Sequence, residues 1–196
     1  MNKDIYTYTD APEVLINNFN IKNEDKLDKI EKTLVSLNIS NIKNYPDGIY
    51  NITHLKKIHR YLFKEIYPWA GEIRGISIRK NDSIFCKPQL IIRSYNSLYK
   101  KIRKDKFLKN IKAEHLYKSL AYYHGKLSII HPFREGNGRT IRAFLYIMVK
   151  KNHNIELNYN SVSKKQINNA SIDAQNNNYS SMEELYQHIL SKSKIR

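Results

Sequence analysis

The chain has 196 residues, 41% of them hydrophobic and 27% charged, which is the balance of a folded globular domain and excludes a disordered or fibrous chain. Lys and Arg number 34 against 18 Asp and Glu, a net charge of +16 that attracts nucleic acid, acidic protein surfaces or phosphorylated small molecules without choosing among them. Cys86 is the one cysteine, so an internal disulfide and a cysteine-based zinc site are excluded, and a reducing compartment is expected.

The N-terminal stretch MNKDIYTYTD lacks the apolar run of a secretory signal. No later stretch approaches the roughly 18 consecutive apolar residues of a membrane span. The expectation is a soluble, cytoplasmic protein with no membrane partner. Leu27, Ile30 and Leu34 recur at helical spacing, as do Leu55, Ile58 and Leu62 in the next segment, where Thr53 is a candidate cap. In IRGISIRKNDSIFCKP the period changes. Ile76 and Ile78 alternate with polar residues, KND supplies turn chemistry, and Ile84 alternates with Cys86, predicting a β-hairpin over about 75–87.

Pro88 ends that strand and admits a helix carrying Ile91, Tyr95, Leu98 and Ile102. A longer helix follows with Leu116, Leu120, Tyr123, Leu127 and Ile130, then the string HPFREGNGRTIR over 131–142, another helix and two shorter ones. Asparagine-rich stretches such as NNFNIKN and DAQNNNYS read as loops and helix ends, and Ser180 with Glu183 has the spacing of a capping box. The fold class is therefore all-α with one small hairpin, in a single domain spanning 1–196.

HPFREGNGRTIR concentrates chemistry before a helix. Helix starts carry unpaired N–H groups and partial positive charge, so a glycine-bearing turn there is an anion seat. Gly136 and Gly138 are free to take positive φ and let a phosphate approach the backbone, and Asn137 between them offers a side-chain or backbone donor. Arg139 and Arg142, three apart, share a helix face and suit a polyphosphate. Glu135 is a hard oxygen ligand for Mg²⁺ bridging two phosphates, and His131 is a proton acceptor near neutral pH. Phe133 is placed to anchor the loop in the core. Taken singly, each has a plain structural reading as a cap, a solvated charge or a core aromatic. Together they set a base, a metal ligand, an anion seat and two cations within twelve residues.

The string resembles the Fic (filamentation induced by cAMP) signature HxFx(D/E)GNGRxxR and matches every specified position. YTYTDAPEVLINNFNI is similar to the N-terminal segment of many Fic domains, and HLKKIHRYLFKEIYPWAGEIR to the helix and turn before their flap, so the resemblance covers roughly 5–190. It implies a Fic-type helical bundle with a β-hairpin flap, transferring AMP from Mg-ATP to a Tyr, Ser or Thr hydroxyl of a target protein. His131 would be the general base and Glu135 the Mg²⁺ ligand. Gly136, Asn137 and Gly138 would form the anion hole, Arg139 and Arg142 would bind the β- and γ-phosphates, and Phe133 would anchor the loop. In the phosphate-transferring Doc branch a lysine replaces the second glycine, whereas Gly138 keeps the nucleotidyl-transferring form. Ile76, Ser77, Ile78, Ile84 and Phe85 of the flap would bind the target as an added strand.

Many Fic proteins are restrained by a helix with the pattern (S/T)xxxE(G/N), whose glutamate pairs with the second motif arginine, here Arg142. Thr9 to Glu13 is followed by Val14 and Ser180 to Glu184 by Leu185, so neither completes it. That predicts a small inhibitory antitoxin acting in trans on a toxin-like enzyme. Two other readings stay open. The same site would serve transfer of UMP or phosphocholine, or removal of AMP. More distantly, the 34 basic residues and 15 tyrosines would suit a helical nucleic-acid-binding protein, although no recognised nucleic-acid motif is present.

Overall fold

The structure is a computed structural model that describes residues 4–80 and 83–195. Among the described residues seven α-helices follow the expected order: α1 (Glu24–Ser40), α2 (Ile52–Phe63), α3 (Ile91–Lys104), α4 (Leu116–Ile130), α5 (Asn137–His153), α6 (Lys164–Gln175) and α7 (Ser180–Ser191). The hairpin lies between α2 and α3, with strands β1 (Arg79–Lys80) and β2 (Ser83–Ile84). No helix among the described residues is long and apolar enough to cross a membrane.

The core forms around α4. Leu116, Leu120, Ala121, Tyr123, His124, Gly125, Leu127, Ser128 and Ile130 are all buried, because α3, α5, α6 and α7 pack against this helix from several sides. A Cβ on Gly125 would come within 2.8 Å of Ala174 Cβ and of the Tyr179 ring, so this glycine permits the close approach of α4 and α6. The opposite wall is α1 against α2 and α2 against α5, with Leu55, Ile58, Leu62, Phe63 and Phe144 buried between them. The active loop therefore joins two core helices, α4 and α5, with its ends fixed in the best-packed part of the molecule.

Several local expectations are corrected. Asn51, not Thr53, caps α2, its side chain accepting the His54 N–H at 2.9 Å; an asparagine one turn before the apolar stripe reaches the free amide that Thr53, inside the helix, does not. No side chain caps α7, which starts at Ser180 itself, and the capping box is instead Ser163 with Gln166 at the start of α6. The buried face of α1 is Leu27, Glu31 and Val35, while Ile30 and Leu34 are half-buried. Among the described residues the hairpin is shorter than 75–87, with Arg79 pairing with Ile84 and Lys80 with Ser83. Ile76, Ser77 and Ile78 precede the paired strand, and residues 81–82 of the expected turn, with the side chains of Lys80 and Ser83, lie outside the described residues. A second short pair, β3 (Ile155–Glu156) with β4 (Lys194–Ile195), is antiparallel and joins the end of α5 to the chain after α7.

Candidate active site

α4 ends in a left-handed residue, His131, at φ 46° and ψ 61°. Its backbone N–H donates to the Leu127 carbonyl at 2.9 Å, and ring Nδ1 lies 3.2 Å from the Ser128 carbonyl. A carbonyl only accepts, so Nδ1 carries the proton and Nε2 is the ring nitrogen that can accept one. Phe85, just after β2, stacks on the imidazole with centroids 3.7 Å apart. A flap residue expected to bind a target thus packs on the candidate base.

Pro132 and Phe133 turn the chain inward. Phe133 is buried and stacks on His59 of α2 at 3.9 Å. The Asn137 side chain closes the loop from the other end: Oδ1 accepts the Phe133 N–H at 2.9 Å, and Nδ2 donates to the Phe133 carbonyl at 2.8 Å. The amide oxygen and one Nδ2 hydrogen of this buried side chain are taken up by the Phe133 backbone. Because the first bond within α5 runs from Thr140 N–H to the Gly136 carbonyl at 3.0 Å, the N–H groups of residues 137–139 precede it and lack intrahelical acceptors.

The two glycines differ. Gly136 sits at φ 78°, and a Cβ there would lie 2.3 Å from Phe63 Cζ. Gly138 is helical, exposed, and would place a Cβ no nearer than 3.5 Å to Arg142 Nη1. Only Gly136 uses positive φ. The fold itself does not require glycine at 138.

Arg139 and Arg142 also take different surroundings. Arg139 Nη1 lies 2.6 Å from Glu31 Oε1 on α1, Nη2 is 3.4 Å from Glu135 Oε1, and the guanidinium sits 4.8 Å from the Phe63 ring centroid. Arg142 is half-buried near Tyr159, Tyr186 and His124, and among the described residues no carboxylate pairs with it. Burial pulls its guanidinium below the usual range, with the two tyrosines working against that shift. Glu135 is half exposed, and its Oε1 also accepts the Gly136 N–H at 2.8 Å. Among the described residues no group of three or more His, Cys, Asp or Glu could hold a metal. A single exposed carboxylate still fits Mg²⁺, which commonly takes one or two carboxylates and completes its shell with water and substrate phosphates.

Three supports escaped sequence reasoning. His59, fully buried, accepts the Gly71 N–H on Nδ1 at 2.8 Å and donates from Nε2 to the Glu135 carbonyl at 3.0 Å. Its signal was a histidine inside the Leu55, Ile58, Leu62 stripe. Glu31 interrupts the Leu27 to Val35 stripe in the same way. Arg74 carried no signal: it donates from Nε to the His131 carbonyl at 2.8 Å, and from Nη1 and Nη2 to the Ile76 and Cys86 carbonyls, each at 2.6 Å. One guanidinium clamps both legs of the hairpin to the end of α4. The N-terminal segment adds a further tie, with Arg134 Nη2 2.7 Å from Asp4 Oδ2.

An all-helical domain whose two central helices are joined by this loop is a Fic-type domain. The chain belongs to the Fic/DOC family, whose model matches residues 49–149. It is 30% identical over 170 residues to the protein adenylyltransferase VbhT of Bartonella schoenbuchensis, covering 85% of this chain and 35% of that protein. It is 33% identical over 138 residues to the probable protein adenylyltransferase y4lH of Sinorhizobium fredii, covering 70% and 71%. The chain thus spans about a third of VbhT and most of y4lH. The fold is that of the BepC protein of Bartonella tribocorum, crystallised with bound AMPPNP, at a TM-score of 0.90, 23% identity and 97% coverage of both chains.

Proposed function

We propose that this chain is a protein adenylyltransferase, a nucleotidyltransferase that moves AMP from ATP to a hydroxyl side chain of a target protein. The observation that carries the reading is the start of α5: Gly136 in the left-handed region, three backbone N–H groups ahead of the first helical bond, and Arg139 and Arg142 on the first turns, five to eleven residues after a histidine with its Nδ1 occupied. Its membership of a family with curated protein adenylyltransferases supports the same conclusion.

In this reading the target hydroxyl approaches His131 Nε2, which accepts its proton as the oxygen attacks the α-phosphorus. The new P–O bond forms as the α–β bridge breaks, and pyrophosphate leaves. The N–H groups of Asn137, Gly138 and Arg139 and the guanidinium groups of Arg139 and Arg142 neutralise the charge gathering on the leaving group. Glu135 is the residue that would hold Mg²⁺, which when bound offsets phosphate charge and orients the chain of phosphates. Ile76, Ser77 and Ile78 precede β1 as a segment open to an added strand, with Ile84 exposed on the other leg. Residues 1–196 act as one domain with its core at about 5–190, in the cytoplasm.

Regulation in trans belongs to the same reading. Among the described residues no carboxylate reaches Arg142, and the one buried carboxylate near the loop, Glu31, pairs with Arg139. A small acidic antitoxin that brings a glutamate to Arg142 would complete the set, helped by the charge of +16. Expression of the chain alone tests it: toxicity lost in His131→Ala supports a brake in trans, and silence relieved by trimming the chain's own ends contradicts it. The activity itself is tested by mass spectrometry of lysate proteins after incubation with ATP. An added AMP on Tyr, Ser or Thr is expected, and an added UMP, phosphocholine or phosphate would overturn the choice of group.

A further inference from the structure

α1 presents Leu27, Glu31 and Val35 to the interior at i, i+4 and i+8, so a carboxylate occupies the middle of an apolar stripe. Such a group is stable only with partners for its oxygens. Glu31 has two: Oε1 meets Arg139 Nη1 at 2.6 Å, and Oε2 accepts the Tyr67 hydroxyl. Tyr67 is itself fixed, stacked on Trp69 with centroids 4.4 Å apart. Burial first and the Glu31 charge second push the Tyr67 phenol far above its usual range, so it stays a donor. Arg139 is further held by the Phe63 ring and Glu135. A long, flexible side chain at the mouth of the anion seat is therefore fixed from three sides while its outer edge remains partly exposed.

We propose that Glu31, backed by Tyr67, is a positioning residue for the nucleotide: it holds one Nη edge of Arg139 so that the remaining guanidinium donors meet the triphosphate already oriented. The inference rests on the adenylyltransferase reading. Its physical content is pre-organisation, since rotamer freedom given up during folding is not lost again when ATP binds. Glu31 is not a brake of the kind expected at Arg142. It touches Arg139 instead, and its second oxygen is tied down by Tyr67 within the core.

The test is calorimetric binding of Mg²⁺ with a non-hydrolysable ATP analogue to the full chain, with thermal unfolding recorded for every variant. Glu31→Ala should weaken binding about tenfold, and Glu31→Gln and Tyr67→Phe about threefold, because the amide keeps an acceptor for Nη1 and the phenylalanine leaves the ion pair in place. In AMP transfer the KM for ATP should rise by similar factors, with kcat changing less. The decisive arm is a double-mutant cycle: in an Arg139→Ala background, Glu31→Ala should add less than about twofold. If Glu31→Ala does not fold, Glu31→Gln carries the comparison. Equal weakening with and without Arg139, or unchanged or tighter binding in the Glu31 variants, would overturn the positioning role alone. A parent chain that fails to bind the analogue would instead overturn the adenylyltransferase reading.

Discussion

His59 on α2 donates from Nε2 to the carbonyl of Glu135, 76 residues away, while its Nδ1 accepts the Gly71 N–H, so one neutral imidazole ties the active loop to the turn after α2. Burial pushes its pKa down to about 4, the Glu135 carbonyl only partly offsetting that, and burial pushes His124 down to about 3. Protonation would replace the Nδ1 lone pair with a second donor facing Gly71 N–H.

A depressed histidine pKa means that the unfolded chain binds more protons than the folded one. The stability from His59 is therefore fully present above its ordinary value near 6.5 and is lost as pH falls from there toward about 4. Between pH 7 and pH 5, His59 and His124 should each remove about 2 kcal/mol of stability. Chemical denaturation at the two pH values checks this, and His59→Gln should show a smaller difference than the parent. An equal pH dependence in both would remove His59 from the account.

Gly136 and Gly138 should respond in opposite ways to alanine. Gly136→Ala meets Phe63 at 2.3 Å in a left-handed backbone and should lose at least about 2 kcal/mol of stability. Gly138→Ala has room and a helical backbone, so its melting temperature should match or exceed the parent's, while ATP affinity falls because the side chain enters the phosphate seat. Parental ATP affinity in Gly138→Ala would show that this glycine does not serve the nucleotide.

Asn137→Ala should act through the loop rather than through a lost phosphate contact. It strips two hydrogen bonds from the buried Phe133 backbone, a cost of about 1–3 kcal/mol. Hydrogen exchange at the Phe133 amide should accelerate markedly. Protection equal to the parent would contradict the locking role.

Much of the scaffold was legible because the core helices obey one period: Leu55, Ile58 and Leu62, or Leu116, Leu120 and Leu127, are buried where their spacing put them. The loop stood out in the sequence because its chemistry is local, gathered in the twelve residues 131–142, where Phe133 is buried and Gly136 is left-handed. What escaped was long-range. Glu31 and His59 look like stray polar residues in apolar stripes until α1 and α2 are packed beside α5, and Arg74 binds three carbonyls that no spacing brings together. Asn137 was visible as a candidate donor, while its two bonds to the Phe133 backbone depend on loop geometry that spacing does not show. β3 and β4 are two residues each, too short for alternation to register.

The central claim is that AMP, activated by this loop, is what moves. Incubating the chain with lysate and ATP labelled on either the α- or the γ-phosphate tests it most directly, with His131→Ala beside the parent. The account predicts protein labelling from α-labelled ATP, none from γ-labelled ATP, and a loss of about 10²–10⁴-fold in His131→Ala. Labelling from the γ-phosphate, or α-labelling undiminished in His131→Ala, would contradict it.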